Sequence, residues 1–394
     1  MTMILKAILS NKAHPEYGQA TIPFPIPDSE YDRTIGLLED MEIGSPTAQD
    51  CQVDGLDSPY PILKRLAAQS VNVDELDYLA KRLDGFCNGE GGKFEAMAVK
   101  LGLSSIRDYI NLTFFCQQAT VIADFSDLEH VGKDHALTMS GGSMTSEEYD
   151  QVDGRMAALD LLQNHSGTIT PYGVVYDNGM KLEPLYDGRH FPAYLYKPSL
   201  MVLEVDPDPA GTAAGYLYLP CPARQLQRTL LRARQDPAGF RLEVTIDELP
   251  TEVSSLVSPT RDSLDALNAL CQAVEPLNTE ERRKLEAVVL MTHPQCAGEV
   301  RQLAENLDQF EFAPDVQTLE DYGRFMIQES GHFEYDENLE RFYDYRLYGE
   351  IHSREDGGVF TKLGYVAYHG SLTLEELMMD DPAELYQQEM GGMA

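Results

Sequence analysis

Bases, paired cysteines and long apolar runs are what this sequence lacks. Only 30 Lys and Arg face 65 Asp and Glu, leaving a net charge of -35. Phosphate binding needs clustered bases, so direct binding to nucleic acid or to an anionic membrane surface is excluded. The six cysteines, at positions 51, 87, 116, 221, 271 and 296, contain no CxxC pair. Neither a disulfide framework nor a zinc site is legible, and the thiols read as reduced, mostly core residues of a reducing compartment. The N-terminal stretch MTMILKAILSNKAH has Lys6 inside its apolar run, which is too short for a signal sequence, and no run approaches the ~18 apolar residues of a membrane span. A cytoplasmic, globular protein is expected. HExxH and His pairs at helical ligand spacing are also missing, so no metal, no cofactor and no catalytic residue is assigned.

What the chain does contain is a repeat. Set against itself at an offset of 191, Lys93-Phe-Glu95-Ala96 falls on Lys284-Leu-Glu286-Ala287, and Asp124, Leu128, Glu129 and Gly132 fall on Asp315, Leu319, Glu320 and Gly323. Asp153 and Arg155 meet Asp344 and Arg346, while Gly167, Thr170, Gly173, Val175 and Gly179 meet Gly358, Thr361, Gly364, Val366 and Gly370. At a slightly larger offset Arg33-Thr34-Ile35 resembles Arg228-Thr229-Leu230. The 394 residues therefore read as two copies of one unit. Both are acidic: residues 1–190 carry 29 acids and 14 bases, and residues 191–394 carry 36 and 16.

Hydrophobic periodicity and cap signals give each copy the same α+β plan. In the first, MILKAIL, QATIPFPI and CQVDGL read as strands of a small antiparallel sheet, with a helix capped by Asp28-Ser29 running to about Glu39 (residues 1–58). A helical part (59–118) follows, with helices from Asn72 to Leu83, where Glu75 completes a capping box, from Gly92 to Leu101 and from Ser104 to Leu112. A mixed α/β part (119–198) holds ATVIADF, helices from Ser126 to about His135 and from Thr145 to Leu162, and a strand pair in TITPYGVVYDNGMKLE. The second copy divides likewise at 199–255, 256–309 and 310–394, using LYLP, a helix from Pro222 to Arg234, LEVTI, helices near Asp262, Thr279 and Gln295, and GVFTKLGYVAY. An extra helix is expected from Thr373 to about Gln388, and DPDPAGTAAG (206–215) is a linker or loop tip.

Each remaining motif has an ordinary structural role that explains it better than a site does. Asp187-Gly-Arg-His190 offers a base beside a charged pair, but a single His after a turn is most often a surface or packing residue. Ser140-Gly-Gly-Ser143 lacks the Lys of a phosphate loop and the GxSxG pattern of a nucleophile elbow, and reads as a flexible loop. Asp124-Phe-Ser-Asp127-Leu-Glu129 approaches a calcium loop without its central Gly, so helix capping explains it better. Arg224, Arg228 and Arg232 form a stripe at intervals of four, expected to pair with the chain's own carboxylates.

The acid itself remains to be explained. The stretch FEYDENLERFYDYRLYGE (333–350) packs six carboxylates and six aromatic rings into eighteen residues. Crowded carboxylates repel, so such an excess is either a solubility or halophile-like trait or is used in function. Duplex DNA carries one charge per ~1.7 Å, so 35 net charges match roughly 60 Å of duplex. A protein with acids so spaced would compete for a basic DNA-binding groove, and the rings would be stiff packing that fixes the spacing.

LEDYGRFMIQES (319–330), ENLERFYDYRLYGEI (337–351) and GGVFTKLGYV (357–366) resemble the C-terminal part of the ArdA-type antirestriction proteins of mobile genetic elements, and YINLTFF and DFSDLEHVG resemble the same family's middle region. The resemblance implies an elongated, non-enzymatic DNA mimic with three small subdomains per unit, whose carboxylates imitate B-form DNA in the groove of type I restriction-modification enzymes. It implies a mimetic face of Asp315, Glu320, Asp321, Glu329, Glu334, Asp336, Glu337, Glu340, Asp344 and Glu350, with first-copy counterparts Asp124, Asp127, Glu129, Glu147, Glu148, Asp150 and Asp153. Relatives are usually single units that pair as homodimers, so a fused pseudo-dimer and a further homodimer are both open. The first copy departs by replacing Tyr343-Asp344-Tyr345 with Val152-Asp153-Gly154. Two rivals stand beside this reading: an acidic interaction protein aimed at another basic DNA-binding protein, and a carboxylate-based hydrolase around Asp187, Arg189 and His190.

Overall fold

A computed structural model describes residues 3–87, 89–177, 184–207, 213–233, 241–331 and 334–379. Strand β1 (Leu5–Ser10) and β2 (Gln19–Phe24) form an antiparallel hairpin, and α1 (Asp28–Asp40) follows. β3 (Cys51–Asp57) takes the other edge of β1, and β4 (Ser70–Val71) takes that of β3. β2 alternates exposed and buried positions, and α1 buries Tyr31, Ile35 and Leu38 along one helical face. Three helices come next, α2 (Val73–Asp84), α3 (Glu90–Lys100) and α4 (Ile106–Leu112). Then β5 (Ala119–Ile122), α5 (Leu128–Met139), α6 (Ser146–Gln151), α7 (Gly154–Asn164), β6 (Thr168–Thr170) and β7 (Gly173–Asp177) give an antiparallel sheet of order β5-β7-β6 with helices beside it.

The second run begins with β8 (Met201–Val205), β9 (Gly215–Leu219), α8 (Ala223–Ala233) and β10 (Leu242–Asp247), whose sheet order is β10-β8-β9. A short α9 (Thr251–Ser254) leads to α10 (Leu264–Val274), α11 (Thr279–Thr292) and α12 (Ala297–Glu305). β11 (Phe310–Pro314), α13 (Leu319–Gln328), α14 (Tyr345–Asp356), β12 (Val359–Thr361) and β13 (Gly364–Tyr368) close with an antiparallel sheet of order β11-β13-β12, and α15 (Leu374–Met378) follows. The fold is α+β, built from several small sheets and many helices. No described helix is long and apolar enough to cross a membrane.

Apart from β4 and α6 in the first run and α9 and α15 in the second, the elements follow one order twice, and the offset seen in sequence recurs in structure. α5 and α13 begin at 128 and 319, α7 and α14 at 154 and 345, and β7 and β13 at 173 and 364, each 191 apart. The bonds inside the elements recur as well: the Thr170 hydroxyl donates to the Gly173 carbonyl at 2.8 Å, and Thr361 does the same to Gly364 at 2.8 Å. Upstream, Ile26 N–H donates to Asp77 at 2.7 Å and Cys221 N–H to Asn268 at 2.9 Å.

Two compact units result, one of Met1–Lys197 with Asp208–Tyr216 and Pro222–Phe240, the other of Pro198–Pro207, Leu217–Cys221 and Arg241–Ala394. Helix α8 thus lies in the first unit, where it packs on α1, its sequence counterpart. The arginine stripe makes this junction. Arg228 donates twice to Asp74, at 3.0 and 2.9 Å, and to the Gly44 carbonyl at 2.6 Å; Arg232 bonds Asn72 at 3.0 Å and the Tyr186 hydroxyl at 2.9 Å. Both arginines are 5% exposed, and Arg224 pairs with Glu39 at the rim. The expected pairing with the chain's own carboxylates holds. Cys51, Cys116, Cys221 and Cys271 are buried thiols, and burial pushes Cys116 and Cys271 up to about 12.

Several local expectations change. Pro27, not Asp28 or Ser29, is the N-cap of α1, and no side chain caps it; Asp28 pairs with Lys197 instead. The helix expected from Thr145 to Leu162 is two, because Val152 is extended and Asp153 caps a fresh start. The helix expected from Ser126 to His135 is capped by Asp127 and runs to Met139. The extra helix has its capping box at Thr373 and Glu376 but ends at Met378, where Met379 is extended, so it is shorter than expected; residues 380–388 of the expected span lie outside the described residues, as do 208–212 of the linker, 178–183 after β7 and Phe333.

Candidate partner-binding surface

The acidic stretch is mounted on a helix crossing. Gly323 of α13 meets α14 so closely that a Cβ there would lie 1.8 Å from the Tyr345 carbonyl oxygen, and one at Gly349 would lie 1.9 Å from that of Leu319. This contact fixes where α14 begins. Beneath it Tyr322 and Tyr365 pack with ring centres 4.0 Å apart, and the Tyr322 hydroxyl donates to Asp356. Burial, then that bond to a carboxylate, pushes the Tyr322 hydroxyl far up, so it stays a donor.

Residues 334–344 lie over this base. A 3₁₀ turn spans Glu337–Phe342, opened by Asp336, which accepts from Asn338 N–H at 2.9 Å, and Asp344 caps α14 by accepting from Leu347 N–H at 3.0 Å. The rings of Tyr335, Tyr343 and Tyr345 follow one another at 5.8 and 5.9 Å. Arg324 of α13 lies 4.4 Å from the Tyr345 ring centre and reaches Glu340 at 3.5 Å and Glu320 at 3.9 Å. Gln328 donates to the Tyr345 hydroxyl at 2.9 Å. Rings and one guanidinium thus hold the turn, and the acids stand outside them.

Of the second-copy acids, Asp315, Glu320, Asp321, Glu329, Glu334, Asp336, Glu337, Glu340 and Asp344 are exposed, while Glu350 is half-buried and pairs with Arg354 at 2.6 Å. Asp315 takes a positive φ of 61° and pairs with Arg283 at 2.5 Å; Asp321 is bonded to the capping Thr318. The first-copy acids Asp124, Asp127, Glu129, Glu147, Glu148, Asp150 and Asp153 are all exposed. Here the acids are tied to helix starts. Asp127 caps α5, Asp153 caps α7, Glu148 closes a capping box with Thr145, and Glu129 accepts from Gly154 and Arg155 N–H at 3.3 and 3.0 Å. Helix α6 (146–151) stands where the second copy has its 3₁₀ turn (337–342), with Met144, Val152 and Gly154 in place of the three tyrosines.

The competing sites resolve into structural parts. Asp124 accepts from the backbone and side chain of Ser126 at 2.8 and 2.9 Å, and no described group of carboxylates, His or Cys could hold a metal ion. Ser140-Gly-Gly-Ser143 ends α5: Gly141 and Gly142 take positive φ, and Gly142 N–H returns to the Leu137 carbonyl at 2.9 Å. Asp187 accepts from Arg189 and His190 N–H and lies 2.7 Å from His190 Nδ1. Burial raises the Asp187 carboxyl, but these bonds outweigh it and hold it low, the reverse of what an acid catalyst needs. The Arg189 side chain donates to the Arg232 carbonyl at 2.7 Å and the Arg232 side chain donates to the Arg189 carbonyl at 3.1 Å, and His190 Nε2 is enclosed with no partner among the described residues, so this turn is packing for α8. The carboxyls that burial does raise, Glu75 and Glu95, lie inside the first unit, each bonded to a backbone N–H, and sequence reading took Glu75 only as a cap.

Residues 243–367 match the family model of the antirestriction protein ArdA. The ArdA match contains all three second-copy segments that carried the resemblance, together with the helix crossing and the ring series built on it. YINLTFF and DFSDLEHVG, in the first copy, lie outside the matched residues. No curated protein matches the chain.

Proposed function

We propose that this protein is an antirestriction protein that imitates B-form DNA and occupies the DNA-binding groove of type I restriction-modification enzymes. The ArdA match supports the antirestriction role, and the observation that carries the mechanism is the exposed acidic turn 334–344 held on Tyr335, Tyr343, Tyr345 and Arg324 inside the matched region. A carboxylate on a long, free side chain cannot keep a phosphate's place. One that caps a helix or rests on packed rings can, with less entropy to lose on binding. The basic groove would exchange its counterions for these acids as it does for DNA. Nothing in this mechanism breaks a bond, so it calls for no catalytic residue and no cofactor.

The test is competition. A labelled duplex bearing the recognition site is bound to a purified type I enzyme and titrated with this protein from low to physiological salt. Displacement that weakens steeply as salt rises supports the reading. No displacement at low salt, or displacement indifferent to salt, refutes it. Displacement of DNA from an unrelated basic protein, with the type I enzyme untouched, would move the proposal to that class of target.

A further inference from the structure

We infer that the second copy adds to its acidic surface an apolar contact that DNA cannot offer, formed by Leu339, Phe342, Leu347 and Ile351, which seats against the protein whose groove this chain occupies. This rests on the proposed function and concerns the same surface. The four side chains are 46%, 83%, 53% and 47% exposed, within thirteen residues of chain. Leu339 and Phe342 stand three apart in the 3₁₀ turn, where such residues eclipse one another, and Leu347 and Ile351 stand four apart on one face of α14. Core demand does not explain them. Tyr345, between the pairs, supplies the packing and is only 8% exposed.

The occupant follows from charge. Along this segment Glu337 lies two residues before Leu339, exposed Glu340 and Asp344 lie between the apolar residues, and Glu350 is three residues from Leu347 and next to Ile351 on α14; these four acids outnumber the exposed Arg341 and Arg346. A partner must therefore bring basic groups interleaved with apolar ground. A second copy of this chain, with its own net charge of -35, would set acid against acid. A DNA-binding protein whose groove walls are apolar between their bases fits.

The first copy is an internal control. The positions 191 residues earlier are Glu148, Gln151, Met156 and Asp160, so only Met156, 63% exposed, is apolar. The two copies share acids but not this contact. Its consequence is a division of labour: carboxylates compete with phosphate and fade with salt, whereas apolar burial does not.

The test compares wild type, Phe342→Ser, the triple variant Phe342→Ser/Leu347→Gln/Ile351→Gln, and Met156→Gln in displacing a labelled duplex from a purified type I enzyme at several salt concentrations, with urea unfolding as a check on folding. The triple variant is expected to lose affinity about tenfold or more at every salt, with the salt slope unchanged. Phe342→Ser should lose part of that, and Met156→Gln nothing. Wild-type affinity in the triple variant overturns the inference while leaving the proposed function standing. So does a loss confined to low salt. Light scattering that shows a wild-type dimer dissolved by the triple substitution, with displacement intact, assigns the patch to self-association and also overturns it. Should wild type fail to displace DNA at low salt, the proposed function fails first and the inference falls with it.

Discussion

Gly323 and Tyr345 touch through backbone alone: a Cβ on Gly323 would lie 1.8 Å from the Tyr345 carbonyl oxygen. The counterpart pair, Gly132 and Gly154, shows 1.7 Å. A backbone atom cannot rotate away as a side chain can, so Gly323→Ala must push α13 and α14 apart. The expected cost is about 3 kcal/mol, at the upper end for overpacking. Urea unfolding measures it, and an unchanged midpoint would show the two helices to be less tightly held than this crossing requires. Binding should fall with stability, since the ring series stands on the same crossing.

A second prediction concerns the buried pair Arg228 and Asp74. Removing one partner of a buried pair strands the other charge, which costs about 3–5 kcal/mol, whereas replacing both by apolar groups is often neutral. Arg228→Met should therefore destabilise the first unit strongly, and Arg228→Met with Asp74→Leu should recover much of the loss. Equal stability for the single and double variants would contradict the account. By the same reasoning, a fragment ending at Lys197 lacks α8 and should not reach the unfolding cooperativity of the full chain.

How much of this was open to sequence reading depends on the range of the forces involved. The capping box of Asn72 and Glu75 is local chemistry, and it starts α2 where the residues predict. So is the hairpin of Thr361 and Gly364, repeated from Thr170 and Gly173. The break at Val152 was missed because Asp153 reads equally well as a helix-surface acid and as a cap, and only the approach of Gly154 to Glu129 decides between them. Strand β8 is not among the strands expected from sequence. The residence of α8 in the first unit was illegible, because the intervals of four in its arginines identify a helical stripe and not its neighbour. In the acidic turn the rings and carboxylates are plain in composition, but the series Tyr335, Tyr343, Tyr345, with Arg324 against the Tyr345 ring, is a tertiary arrangement.

Glu75 yields a pH prediction. Burial raises its carboxyl most; bonds from Tyr186 and Asn72 and the charge of Arg232 oppose this without cancelling it. The folded protein therefore keeps this proton at pH values where the unfolded chain has released it. Its contribution is full below the unfolded value near 4.5 and is lost as pH rises through the higher folded value. Glu75→Gln keeps the capping geometry and cannot ionise. The stability of the variant relative to wild type should rise across that window and then level off. A difference flat from pH 4 to 8 would mean the folded carboxyl is not raised.

The last prediction separates charge from shape on the proposed surface. Asp336→Asn, Glu337→Gln and Glu340→Gln together remove three charges while sparing the fold, for three reasons. Asn caps a helical turn about as well as Asp. Glu337 is exposed, and the Glu340→Gln amide oxygen can still accept from Arg324, so the turn keeps its tie while an exposed ion pair of small stabilising effect is lost. The triple variant should keep the wild-type urea midpoint yet displace DNA from a type I enzyme less well, with a shallower dependence on salt because fewer counterions are exchanged. The matching first-copy set, Glu147→Gln, Glu148→Gln and Asp150→Asn, removes the same charge from a helix without the ring series. If charge alone drove binding, the two sets would weaken it equally. A larger loss in the second copy is expected, because there the acids rest on packed rings and pay less to be ordered against a partner.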